Sequence, residues 1–409
     1  MVVYNVQKGG GSIVSLSKKQ LALAVVLLFT LGLALTGCGG GGAKTEEVLK
    51  IGSIQDMSGT TSVFGNAITR GAELAIEKIN AQGGVNGKKL KLVTLDTKGD
   101  PKEAINAYNR LVDQEKVVAV LGPPISNIGL ALAPIANTKK VPVVGSFIDP
   151  RVTVGPDGKP QTAMFLMQPS SVQYAEIMAG YAVEKLGLKK IAIFYNQSNA
   201  YSVSLIKPFK EYAESLGAKI VIEEKYTKDD KDYKTQLAKI KDSGADVLYA
   251  PNYTQELVIL FKQRKQAGVN IPIVDGLDLA APFAQNINDP EAADNAFFAN
   301  NFSEKEPQLV EVRNAYKAKY NNEEPINKAY LGYDKIMLIA EAAKKMNSTK
   351  PEDLIKGLEQ IKDMQGATGV ITLSPKTHQP VGLSMVIFKM EKGKYIEVGR
   401  YVPEKHKKL

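Results

Sequence analysis

From residue 48 onward the chain alternates apolar runs of strand length with segments of helical period, and that alternation leaves few architectures open. Residues 48–54 read as a strand, and 67–80 as a helix with Ala67, Gly71, Leu74, Ala75 and Ile79 near one face. A strand at 90–95 leads to a helix that opens at Pro101, a residue suited to a first helical turn. A strand at 117–121, a helix at 127–138 and a strand at 141–144 close this series. A second series comes next, with helices at 172–186, 203–216, 233–242 and 254–267 between strands at 191–195, 219–223, 247–249 and 273–274. Strands alternating with helices imply parallel sheets covered on both faces, so the fold class is α/β with two doubly wound lobes. The remainder differs: a strand at 296–302, helices at 309–320, 329–346 and 351–360, then antiparallel strands at 370–373, 383–389 and 395–401.

Composition narrows the function. Among 409 residues there are one Cys, two His and no Trp. One thiol excludes a disulfide framework and a multi-thiolate zinc site, and two histidines leave little for His-based catalysis or a His-rich metal centre. No cofactor and no metal are expected. The formal charge of +9 includes Lys8, Lys18 and Lys19, which lie in a segment expected to be removed. The remaining basic runs are short and lack interleaved aromatics, so no nucleic-acid partner is expected.

That removable segment has the order of an export signal. Lys18-Lys19 precede the apolar run 21–35, and small residues come after it. At about 1.5 Å per residue the run spans roughly 22 Å as a helix, short of a hydrocarbon core of about 30 Å. Leu35-Thr36-Gly37-Cys38 then resembles the lipobox of bacterial lipoproteins. The resemblance implies diacylglycerol on Cys38, cleavage before it (1–37 as signal peptide), and a tether over 38–47 that includes Gly39 to Gly42. The expected location is the extracytoplasmic face of the cell membrane, held to the lipid bilayer through the acylated Cys38.

Several motifs imitate nucleotide or catalytic sites. Gly83-Gly84-Val85-Asn86-Gly87-Lys88 lacks the P-loop spacing and a hydroxyl residue after its lysine, and it comes after a helix, so it reads as a turn. The 39–45 stretch lacks the second glycine of a P-loop. No G-x-G-x-x-G succeeds the first strand and no G-x-S-x-G elbow occurs. A hydrolase built on Ser126 has no evident base. In open α/β sheets, ligands bind beyond the carboxyl ends of the strands. Those ends here are 56–64, 122–126, 145–149, 196–201, 251–254 and 275–278, which supply hydroxyls, aromatic faces and carboxylates.

Specific motifs join this pattern. Ser58-Gly59 followed by Phe64-Gly65, Arg70-Gly71-Ala72-Glu73-Leu74-Ala75 and Ile79-Asn80-Ala81-Gln82-Gly83-Gly84-Val85-Asn86-Gly87 resemble the opening of Leu/Ile/Val-binding proteins, the solute receptors of branched-chain amino-acid-type ABC importers. Asp100-Pro101, Gly122-Pro123 with Ser126, Pro208-Phe209, Leu216-Gly217-Ala218, Gln266-Ala267-Gly268 and Tyr330-Leu331-Gly332-Tyr333-Asp334 continue it, across nearly all of 48–402. The resemblance implies a type I periplasmic binding protein, with lobe I at 48–166 and 301–361, lobe II at 167–300 and 362–409, and a three-segment hinge. It also implies a small-molecule solute of the amino-acid or amide class and ABC permease membrane subunits as partners. A ligand-sensing receptor of the same fold for an amide, urea or aromatic acid is the alternative. The ligand-binding residues it implies are Phe64, Ser126, Phe147, Asp149, Tyr201, Tyr253 and Asp278, with Asp275 in place of Asp278 under a small shift of alignment. At 147–149 the sequence is Phe-Ile-Asp where the family has a Ser-Ala-Thr-like loop. The expectation is that Asp149 faces the cleft and selects a cationic or amide-bearing group.

Overall fold

The computed structural model describes residues 47–406, apart from 304 and 383. The leader, Cys38 and the tether lie outside the described residues.

The first sheet has the order β2-β1-β3-β4-β5, all parallel: β1 (Val48–Gln55), β2 (Lys89–Asp96), β3 (Val120–Leu121), β4 (Val143–Gly145) and β5 (Met164–Leu166). The second has the order β14-β13-β10-β9-β8-β6-β7, from β6 (Lys190–Asn196), β7 (Lys219–Tyr226), β8 (Val247–Tyr249), β9 (Ile273–Val274), β10 (Ala296–Asn300), β13 (Met385–Glu391) and β14 (Lys394–Tyr401). Its β6–β10 portion is parallel, and β13 and β14 add antiparallel strands at one edge. A small hairpin pairs β11 (Met364–Gly366) with β12 (Gly369–Ile371).

The connecting helices are α1 (Ser62–Ala81), α2 (Pro101–Asp113), α3 (Ser126–Lys139), α4 (Ser171–Gly180), α5 (Ala200–Ser215), α6 (Lys234–Asp242), α7 (Thr254–Ala267), the short α8 (Phe283–Asn286), α9 (Pro307–Lys319), α10 (Asn327–Met346) and α11 (Pro351–Glu359). Local chemistry sets several of their starts. The Asp100 carboxylate accepts from the backbone N–H of Lys102 and Glu103, ahead of Pro101. Ser170 and Gln173 form a reciprocal cap at α4.

The chain passes between the sheets after β5, after β10 and after β12. Helices α9, α10 and α11 return to the first sheet, where Leu309, Val312, Leu331, Leu338 and Leu354 join its core. The helices between β6 and β9 pack on the second sheet's two faces. The expected start of the second lobe at 362 is too early. Ala367, Ile371 and Leu373 belong to the first core, and His378 stacks on Phe165 of β5 with centroids 4.2 Å apart. A hairpin is too short a unit to bury its own apolar face, so β11–β12 packs against the nearest core.

Helices α1 and α10 cross at very short range. A Cβ at Gly71 would fall 1.8 Å from the Ala329 carbonyl oxygen, and one at Gly332 would fall 2.1 Å from that of Ile68. The two helices therefore touch backbone to backbone. The glycines in Arg70-Gly71-Ala72 and Leu331-Gly332-Tyr333 serve this approach, which brings the first turns of both helices to the same end of the sheet.

Candidate functional site

A small hollow lies between the loops of the two sheets. Its lining from the first half is Thr61, Phe64, Pro124, Ile125, Ile148 and Lys328, and from the second Tyr201, Tyr253, Leu277 and Asp278, with Gln168 from the passage between them. The two rims touch directly. The Ala200 N–H donates to Asn127 Oδ1 at 2.9 Å, and Gln255 Nε2 donates to the Thr60 carbonyl at 3.0 Å. These contacts describe a closed arrangement.

Of the residues expected at the site, Phe64, Tyr201, Tyr253 and Asp278 meet in this hollow. Phe64 sits in the first turn of α1 and not in the loop before it, because that helix begins at Ser62. Tyr201, in the first turn of α5, and Tyr253, immediately before α7, stack with centroids 4.9 Å apart and planes 17° apart. Both hydroxyls are buried, and neither has a hydrogen-bond partner of normal geometry among the described residues.

Asp278 is 5% exposed. Burial pushes its carboxyl up to about 6, while Lys328 and the Tyr201 hydroxyl favour the charged form. Asp275 lies deeper, fully buried, and accepts the Leu279 N–H at 3.1 Å. Burial and the nearby Asp278 raise its carboxyl well above the ordinary range. Asp275 does not line the hollow, so of the two alternatives Asp278 is the one placed there.

Ser126 stands at the start of α3, just behind the lining. Its Oγ accepts the N–H groups of Ile148 and Asp149, each at 3.4 Å, and ties two adjacent loops together.

Two expectations fail. Phe147 turns into the first core, where its ring occupies the space above Gly122, Gly129 and Gly145; a Cβ on Gly145 would lie 2.0 Å from it. Asp149 does not reach the hollow either. Its carboxylate is fully buried and forms a forked pair with Arg151, with Nε at 3.0 and 3.1 Å and Nη2 at 2.5 Å, and it also accepts the Arg151 N–H. The anion's demand is met locally, so it has no capacity left to select a solute.

Lys328 was missed. It is the second residue of α10, 2% exposed, with Nζ 5.6 Å from the centre of the Phe64 ring. Burial lowers its ammonium's pKa and Asp278 opposes that shift. A signal existed: Lys328 shares a helical stripe with Leu331, Lys335 and Leu338, all buried, and a lysine in an apolar stripe requires a reason. The reason for Lys335 is local, since its Nζ donates to the Gly122 carbonyl at 2.8 Å. No such bond holds Lys328.

Two largely parallel sheets with a hollow between their loops define a type I periplasmic binding protein. Residues 48–394 match the family model described as periplasmic binding protein, and the chain belongs to that family. A Leu/Ile/Val-binding protein homolog 3 from Brucella melitensis is 28% identical over 351 residues, 85% of this chain and 93% of the relative. The branched-chain amino acid transporter substrate binding protein LivJ of Streptococcus pneumoniae, solved with isoleucine, is 30% identical with a TM-score of 0.77, covering 86% of this chain and all (100%) of that one. The leucine binding protein LivK of Thermotoga maritima gives 27% and 0.79, with coverage of 87% and 99%. These relatives are solute-binding proteins, and this chain is a binding protein and not an enzyme. Among the described residues no helix is long and apolar enough to cross a membrane.

Proposed function

We propose that this protein is a lipid-anchored extracytoplasmic receptor that captures an amino-acid-type solute by closure of two lobes and delivers it to an ABC permease. One observation carries the reading: a carboxylate, an ammonium group and a stacked tyrosine pair converge on one hollow between the two sheets. A zwitterion needs both charge signs and an apolar or aromatic wall, and a site that encloses its ligand strengthens each of those contacts. The names of the relatives, which concern leucine, isoleucine and valine, support the amino-acid class and the importer.

The closing bodies are 48–166 with 301–373, and 167–300 with 385–401; the division tracks membership of the cores. Solute contacts to both rims favour the closed state, because they cannot all form when the rims part. Cys38 carries the lipid, as its position after the apolar leader supports. A thermal-shift screen with amino acids, amides, polyamines and aromatic acids tests the reading. Stabilisation by an amino acid that is recovered unchanged is expected. Steady product formation, or no response to any amino acid, overturns it.

A further inference from the structure

The side chains expected to face the cleft from the first sheet's loops leave one job unfilled, the capture of a solute's carboxylate. Phe147 lies in the core and Asp149 is committed to Arg151. Ser126 Oγ is engaged by the N–H groups of Ile148 and Asp149. Among the described residues, the polar lining of the hollow is Thr61, Gln168, Tyr201, Tyr253, Asp278 and Lys328. The Thr61 hydroxyl donates to Asp56 Oδ2 at 2.8 Å, and Gln168 Nε2 donates to the Ser146 carbonyl. Both tyrosine hydroxyls are neutral and lie in the field of Asp278, at the anionic end.

Lys328 differs from all of these. It is 2% exposed, its Nζ lies 5.6 Å from the centre of the Phe64 ring, and it has no hydrogen bond or contact ion pair among the described residues. The neighbouring Lys335 is already engaged by the Gly122 carbonyl, so Lys328 is the cation left for a solute. The charge count agrees. Asp278 and Lys328 cancel, so a solute that is neutral overall but carries both signs gives each buried charge a partner and leaves none over. A further carboxylate or ammonium group in the solute's side chain would find no partner.

We infer that Lys328 holds the α-carboxylate of the solute, so that this group is recognised from the first turn of α10 and not from the loops after β3 and β4; this rests on the amino-acid reading of the same site. Asp278 takes the ammonium group. Lys328 and Asp278 come from opposite halves, so one zwitterion ties the halves together. The solute's side chain then falls against Phe64, Ile125, Ile148 and Leu277.

The test is isothermal titration calorimetry at pH 7 of the full chain in detergent with L-alanine, L-leucine, L-glutamine and L-glutamate, and with the α-amide of each. The amides lose the carboxylate charge and keep an α-ammonium group, which titrates at about 7.7–8 and is still largely charged. The wild type should bind its preferred amino acid at least about tenfold more tightly than the matching amide. Lys328→Met should bring the two within about threefold and weaken every amino acid the wild type binds by a similar factor. The variant should fold, because an underpaired buried charge is replaced by an apolar chain of similar length; Lys328→Gln, polar but uncharged, is a second variant and should lose the same preference. A preference for acid over amide that survives both substitutions overturns the inference. A loss confined to glutamate and glutamine places Lys328 against the side chain and overturns it too. In both cases the receptor reading stands. If the wild type binds no amino acid, the receptor reading itself falls and takes the inference with it.

Discussion

Replacing Asp278 by asparagine should make the protein more stable and less able to bind. The carboxyl is displaced from its usual 3.8 to about 6, chiefly by burial. At about 1.36 kcal/mol per pH unit, holding it ionised at pH 7 costs the ligand-free fold about 3 kcal/mol. Asparagine removes that cost and keeps a polar group beside the Tyr201 hydroxyl. The entropy of unfolding is about 2.1 cal/mol/K per residue, so with roughly 360 folded residues the midpoint should rise by about 4 °C if the halves unfold together. The pH dependence fixes the cause. A raised carboxyl binds its proton in the folded state first, so the wild type gains stability as pH falls from 7 through about 6, and the gap to Asp278→Asn should close near pH 4. Binding moves the other way, because the solute's ammonium group loses a charged partner worth about 1.5–3 kcal/mol, or 10- to 150-fold in affinity. Wild-type affinity should likewise decline below about pH 6. Calorimetry and thermal unfolding across pH 4–8 measure both. An Asp278→Asn protein with unchanged affinity, or with a stability offset independent of pH, would refute the assignment of Asp278 as the buried anion of the hollow.

Three further changes separate scaffold from site. Cys38→Ser should release the protein into the soluble fraction or leave it unprocessed; wild-type partition into membranes on fractionation would remove the lipid anchor. Asp149→Asn should cost about 1–2 kcal/mol in denaturant unfolding through the weakened fork to Arg151, while solute affinity changes by less than about twofold; a large loss of affinity would return Asp149 to the site. Gly71→Ala should destabilise by about 2 kcal/mol or more, because its Cβ would overlap the Ala329 carbonyl oxygen at 1.8 Å and push α10 away from α1, with a parallel loss of affinity as Lys328 and Phe64 separate; a neutral outcome in urea unfolding would deny the close crossing.

The alternation of strands and helices was legible because period and length survive in the linear chain; the two large sheets contain the predicted strands except 370–373, which falls in the separate β11–β12 hairpin, and they add the unexpected β5. Edges were less so. The strand expected at 117–121 is regular only over Val120–Leu121, and the helix expected from 67 begins at Ser62, which moves Phe64 from a loop to a helix. At the site, aromatic residues at the ends of second-sheet strands were found because topology points those ends at a ligand and the family resemblance singled out Tyr201 and Tyr253 among them. Phe147 and Asp149 met the same criterion and failed it for reasons invisible to position. Gly122, Gly129 and Gly145 clear space for the Phe147 ring in the core, and Arg151, two residues on, neutralises Asp149. Lys328 escaped because it arrives at the hollow through a helix crossing between residues more than 250 positions apart.

The buried charges near the hollow are tolerated for separate local reasons. Asp278, Lys328 and Lys335 would each be destabilising alone, and desolvation shifts the equilibrium of all three toward the neutral form. Lys335 is held by a backbone carbonyl, so its burial costs little beyond the bond it makes. Asp278 and Lys328 oppose each other across the hollow without touching, which leaves each short of a full partner in the protein alone. A directly paired Asp–Lys would be the more stable arrangement and the poorer receptor, since a solute would then have to break an ion pair before forming its own. On the proposed function, separation keeps both groups underpaired until a solute of complementary charge lies between them, and the stability forgone in the ligand-free state returns as binding energy.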